Sequence, residues 1–118
     1  MLMLLKWVVR IGGLLAFVLG IMISRSPVLN LHMYIGDVTA LALALLAAWA
    51  LAKGAKIPMA VIGLIWAGAI YYVGIGQMRW MTGGSHWIIE VLHGALGLGA
   101  IGLGDILGSA IQKRLSLR

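Results

Sequence analysis

His86, Glu90 and His93 stand four and three residues apart in the run His86-Trp87-Ile88-Ile89-Glu90-Val91-Leu92-His93. On an α-helix those spacings put side chains on one face. The three therefore form a polar ladder of about two turns, roughly 10 Å long. Its surroundings are apolar, and an ionisable group at membrane depth is costly unless it has a partner or a task. Imidazole and carboxylate bind transition metals, and imidazole is an axial ligand of haem iron. The ladder points to a haem or metal site.

His32 extends the pattern. Gly36 follows it by four residues, as Gly97 follows His93. A b-type haem in a helix bundle takes axial imidazoles, commonly from two helices at matched depth. A glycine one turn away leaves room for a flat ring against the backbone. On this pattern His32 and His93 are the expected axial ligands of haem b, and His86 is an alternative. Gly36 and Gly97 would lie under the ring, and Arg79 or Arg25 would pair with a propionate. The same glycines also serve close packing of membrane helices, and the chain holds 17 of them.

Direct metal binding uses the same residues differently. Glu90-x-x-His93 has the spacing of di-iron carboxylate bundles, in which two helices each supply one such motif, so a homodimer would provide the second. Alternatively His32, His86, Glu90 and His93 would together hold one Fe, Zn or Mn ion. Glu90 orients an imidazole or relays protons in the haem reading and is a ligand in the metal reading.

Composition sets the solvent in which such a site must be built. The chain has 118 residues, of which 63% are hydrophobic and 10% charged, against about a quarter charged in soluble domains. Mean hydropathy is +1.08. There are no cysteines, so thiolate metal sites, iron–sulfur clusters, disulfides and cysteine nucleophiles are excluded. The net charge of +6 comes from basic residues at the ends of apolar stretches, which fits topology and lipid headgroups. Basic patches interleaved with aromatics are lacking, so no nucleic-acid partner is expected.

Four apolar stretches, at about 7–24, 31–52, 58–78 and 87–111, each approach the ~20 residues that cross a bilayer. Ser26-Pro27 allows an earlier start for the second, with Ser as cap and Pro in the first turn. The links are short, which makes the helices antiparallel neighbours. The expectation is an all-α, polytopic membrane protein: one four-helix antiparallel bundle over residues 1–118, with both termini cytoplasmic. The first stretch has the Lys6 and apolar core of a signal peptide but no small-x-small cleavage site, so it is expected to stay as a helix. With that orientation Lys6, Arg10, Lys53, Lys56, Lys113, Arg114 and Arg118 lie inside and Arg25 and Arg79 outside, as the positive-inside rule requires. All three histidines then fall toward the outer leaflet of a bacterial inner membrane.

All three acidic residues, Asp37, Glu90 and Asp105, lie within these stretches. They could form a proton path from Glu90 toward Asp105. They could also be structural partners of Thr39, Tyr71, Tyr72, Gln77 or an arginine. Gln77 and the aromatics at the end of the third stretch could receive a quinone headgroup. The run Gly97-Leu98-Gly99-Ala100-Ile101-Gly102 matches G-x-G-x-x-G but lies in an apolar span and not after a strand, so it is no nucleotide motif. No serine stands in a nucleophile-elbow context.

Through His32 opening the second helix and His86/His93 in the fourth, the layout resembles small four-helix b-type cytochromes of bacterial membranes. That resemblance implies bound haem b and electron transfer with a quinone or another redox partner. The chain departs from the di-haem members in having no histidine at the inner side. It is similar in size to small multidrug transporters, which carry an essential Glu in the first helix, whereas this first helix has no acid. Electron transfer on haem b, quinol-linked, is thus the leading expectation. The alternatives are a divalent-metal or proton-coupled small transporter using the His and Glu of the fourth helix, and an accessory subunit of a larger membrane complex. A homo-oligomer is expected in each case.

Overall fold

The computed structural model describes residues 1–22 and 26–117, with the side chains of residues 26 and 27 outside the description. It consists of α1 (Leu2–Ile21), α2 (Ser26–Ala52), α3 (Ile57–Gly76) and α4 (His86–Ser116). No strand occurs among the described residues. All four helices are long and apolar enough to cross a membrane.

Residue pairings along the helices define an up-down-up-down bundle. Lys6 lies by Gly108, Val9 by Gly104, Ile101 by Gly13 and Phe17 by Gly94, so α4 runs antiparallel to α1. Thr39 faces Gly12 and His32 faces Gly20, which sets α2 antiparallel to α1. Leu107 lies by Gly63, Trp66 by Gly99 and His93 by Gly74, which sets α3 antiparallel to α4.

The core is built from few large side chains. Val9, Leu43, Leu46, Leu107 and Ile111 are fully enclosed, and much of the rest is alanine, including Ala47, Ala50, Ala60 and Ala100. Small residues bring helix axes close, which is how association proceeds where lipid tails are as apolar as the helices. At Gly99 the approach is close enough that a Cβ would stand 2.9 Å from Cε2 of Trp66. That indole is fixed, because its Nε1 donates to the Leu96 carbonyl at 2.8 Å. Large apolar side chains such as Leu4, Leu41, Ile65 and Val91 point outward, the arrangement suited to a hydrocarbon surrounding.

The helix ends differ from those expected. α1 starts at Leu2, five residues before the expected position 7, because the Lys6 stem is apolar enough to pack inside the bundle. α2 starts at Ser26, the earlier of the two starts considered. α3 stops at Gly76, two residues before 78. α4 runs to Ser116 instead of 111, and its 31 residues reach about 46 Å, well beyond the ~30 Å hydrocarbon layer. Lys113 and Arg114 are good helix formers and favour the negative end of the helix dipole, so the apolar run underestimates this helix.

The α2–α3 turn is a Schellman cap. Gly54 takes φ 62°, and Ala55 and Gly54 donate to the carbonyls of Ala50 and Leu51 at 2.8 and 3.0 Å. Arg114 closes this end by donating to the Gly54 carbonyl at 2.8 Å. Lys53, Lys56, Lys113 and Arg114 thus gather at one end of the bundle. The α3–α4 turn, with Arg79 and His86, lies at the other.

Candidate functional site

Three helices bring two imidazoles together near the α3–α4 end. His32 sits in the second turn of α2 and His93 in the third turn of α4, and their ring centroids are 5.8 Å apart at an interplanar angle of 74°. His32 is buried, with 8% of its surface exposed. Its Nδ1 lies 2.7 Å from the carbonyl oxygen of Ala16 on α1. A carbonyl only accepts, so Nδ1 carries the proton and donates, and the lone pair of Nε2 is left free. Metal-binding histidines are oriented in this way, with one nitrogen held by a backbone carbonyl and the other open to the ligand.

Close helix approach sets both rings in place. A Cβ on Gly20 would stand 3.2 Å from Cε1 of His32, and one on Gly74 would stand 3.3 Å from Cε1 of His93. Alanine at either position would crowd the imidazole. The Nδ1 of His93 is buried and makes no hydrogen bond. An orphaned buried imidazole nitrogen is costly to leave without a partner.

A small open-sided cleft of about 40 Å³ adjoins the pair, lined by both histidines, Gly36, Asp37, Tyr71 and Gln77 among others. No atom lies within 4 Å of a Cβ built on Gly36 or on Gly97. These two glycines are therefore not required by packing, in contrast to Gly99 or Gly104.

The other expected site residues lie apart from this centre. His86 is at the mouth of α4, with Nδ1 3.4 Å from the Trp80 carbonyl and Nε2 3.6 Å from Glu90 Oε1. Glu90 is exposed. The quartet His32, His86, Glu90 and His93 is thus not assembled as a metal site. No group of three or more His, Asp or Glu side chains placed to hold a metal occurs among the described residues. The physical reason is helix phase and depth. Glu90 is about 60° around the helix from His93, and His86 is about 10 Å along it. Arg79 is exposed on the α3–α4 turn and makes no side-chain hydrogen bond or ion pair among the described residues. Arg25 lies outside the described residues.

The acids do not form a path. Asp105 is bound to Arg10, Oδ1 to Nε at 2.6 Å, and is about 22 Å along α4 from Glu90. An arginine does pair with Asp105, as its structural reading allowed, but it is Arg10 of α1 and not Arg114 near it on α4, which donates to the Gly54 carbonyl. Thr39, another candidate partner, instead donates to the Ile35 carbonyl at 2.8 Å. Asp37 is exposed at the cleft.

The Ala16 carbonyl, Gly20 and Gly74 were not legible as site elements. Backbone carbonyls carry no sequence signal, and these glycines have no histidine one turn away on their own helix. No protein-family model matches this chain, and neither a curated protein nor a solved structure matches it.

Proposed function

We propose that this chain is a membrane haem b protein for electron transfer, with His32 and His93 as the axial pair. The observation that carries the reading is the juxtaposition of the two imidazoles, one of them anchored through Nδ1 with Nε2 free. Coordination chemistry favours haem over a bare ion. His32 and His93 match the number of protein ligands that a haem iron would need. A structural zinc or iron site assembled from protein needs about four ligands, and the described residues supply two here. Haem supplies one-electron chemistry, while the chain sets ligand orientation and the apolar surroundings that tune its potential.

Space is the constraint on this reading. The 40 Å³ cleft is far below the roughly 300–1,000 Å³ of sites that enclose drug-sized ligands. Haem binding therefore requires α2, α3 and α4 to part at this end. Gly36, which lines the cleft and where an added Cβ would meet nothing within 4 Å, is where a ring could come to lie. Asp37, Tyr71 and Gln77 at the cleft offer hydrogen bonds to a quinol headgroup, the electron donor we favour. The gathering of Lys53, Lys56, Lys113 and Arg114 at one end supports, by the positive-inside rule, a reading with that end in the cytoplasm and the imidazole pair toward the periplasm of a bacterial inner membrane.

A second reading follows from the same volume. The cleft has room for an ion and a few waters, so a divalent metal held by His32 and His93, with outside ligands completing its shell, is the alternative. The discriminating experiment is expression with a haem precursor, purification in mild detergent, and haem and metal quantitation on one sample. Haem in equal amount to protein, lost in both His32→Ala and His93→Ala, supports the haem reading. Stoichiometric zinc, iron or manganese without porphyrin, lost in the same variants, selects the metal reading. Neither group in the wild-type protein refutes both.

A further inference from the structure

The opposite end of the bundle holds a lysine whose burial nothing in the protein accounts for. Lys6, in the second turn of α1, is 7% exposed, although lysine is almost never so buried unless paired. Its stem lies across Gly108 of α4, where a Cβ would stand 2.5 Å from its Cγ and Cδ and 3.0 Å from its Cε. The glycine is thus a notch that the lysine chain fills.

Among the described residues no carboxylate meets the ammonium. The chain has three acidic side chains. Asp105 is held by Arg10 at 2.6 Å, Glu90 lies by His86 at the far end, and Asp37 lines the imidazole cleft. Among the described residues Lys6 has no ion pair and no side-chain hydrogen bond. Its nitrogen is nevertheless not sealed in, since His93 Nδ1 is the one enclosed side-chain atom left without a partner among those residues. The stem lies in the groove and the nitrogen keeps some exposure at its edge.

Direction identifies what it meets. Helical side chains lean toward the helix N-terminus, so Lys6 points to the end where Lys113 and Arg114 close α4. Trp7, half exposed beside it and stacked under the Arg10 guanidinium at 5.2 Å, has the position of a headgroup-level aromatic. Basic pockets between helices at the cytoplasmic side bind anionic lipid headgroups.

We propose that the α1/α4 groove built on Lys6 and Gly108 binds the phosphate of an anionic phospholipid. The inference rests on the chain lying in a membrane and is independent of haem. Its test is native mass spectrometry of the full chain in mild detergent, titrated with phosphatidylglycerol, with phosphatidylcholine, and with inorganic phosphate. The wild type is expected to retain phosphatidylglycerol in preference to phosphatidylcholine. Lys6→Met should reduce that preference by about fivefold or more, at least the effect of one basic side chain at a lipid surface, and Lys56→Met at the exposed turn should reduce it by less. Gly108→Ala, which keeps every charge but fills the notch, should also reduce it, and Lys6→Arg should retain it. If Lys6→Met does not fold, Gly108→Ala and Lys6→Arg decide. An unchanged preference in Gly108→Ala or Lys6→Met, or full displacement of the lipid by millimolar inorganic phosphate, overturns the proposal.

Discussion

Gly99→Ala is expected to destabilise the bundle, whereas Gly102→Ala, three residues along the same helix, is not. A Cβ at Gly99 would stand 2.5 Å from Cζ2 of Trp66, 2.9 Å from Cε2 and 3.1 Å from Nε1. Carbon atoms pack best at about 3.5–4.0 Å, so the indole must retreat by about 1 Å. Its hydrogen bond to the Leu96 carbonyl, 2.8 Å long, cannot follow, because such bonds weaken beyond about 3.2 Å. Overpacking costs about 1–3 kcal/mol and the lost hydrogen bond about 0.5–1.5. The better helix propensity of alanine offsets about 1 kcal/mol, leaving a net loss of about 1–3 kcal/mol. At Gly102 nothing lies within 4 Å of the added Cβ, so only the propensity gain remains. Unfolding in mixed micelles by denaturing detergent, followed by far-UV circular dichroism, should resolve midpoints separated by about 2–4 kcal/mol between the two variants. In a Trp66→Phe background the Gly99→Ala penalty should shrink, since the ring it strikes is gone. Equal midpoints for the two alanine variants, or a penalty unchanged by Trp66→Phe, would refute the packing argument.

Gly36→Leu should fold normally, because its Cβ meets nothing within 4 Å, yet lower the haem content of the purified protein by occupying the space beside His32. Unchanged haem content would remove Gly36 from the site. His86→Ala should leave haem content and spectrum as in the wild type, since His86 contacts Trp80 and Glu90 and not the imidazole pair; loss of the pigment would make it a ligand after all. Asp105→Asn should destabilise by about 1 kcal/mol or less, because the side chains of the Arg10 pair are 37% and 41% exposed. A loss above about 3 kcal/mol in the same unfolding assay would mean that the pair acts as a buried one.

The number of helices was legible because apolar length is a direct physical requirement for crossing a bilayer. Their rotation was not. These helices are apolar nearly all round, so periodicity gives little indication of which face turns inward. That is why His32 could be matched from sequence to either His86 or His93, and why Glu90 could be read as a partner of His93 although it points outward. The helix starts erred where charged side chains enter the bundle: Lys6 interrupts an apolar window but contributes an apolar stem. Of the two glycines singled out by spacing, Gly36 lines the cleft beside the imidazole pair, whereas Gly97 does not and its carbonyl faces Gly13 of α1. Gly20 and Gly74, which crowd the imidazoles, act across helix interfaces and leave no local pattern.

The central claim, that two histidines from α2 and α4 form an axial pair, is tested most directly by low-temperature electron paramagnetic resonance of the purified, oxidised protein. The expected result is a low-spin ferric haem signal of two imidazole ligands that becomes high-spin or disappears in His32→Ala and in His93→Ala. A protein without haem, or a signal that neither substitution changes, would contradict it.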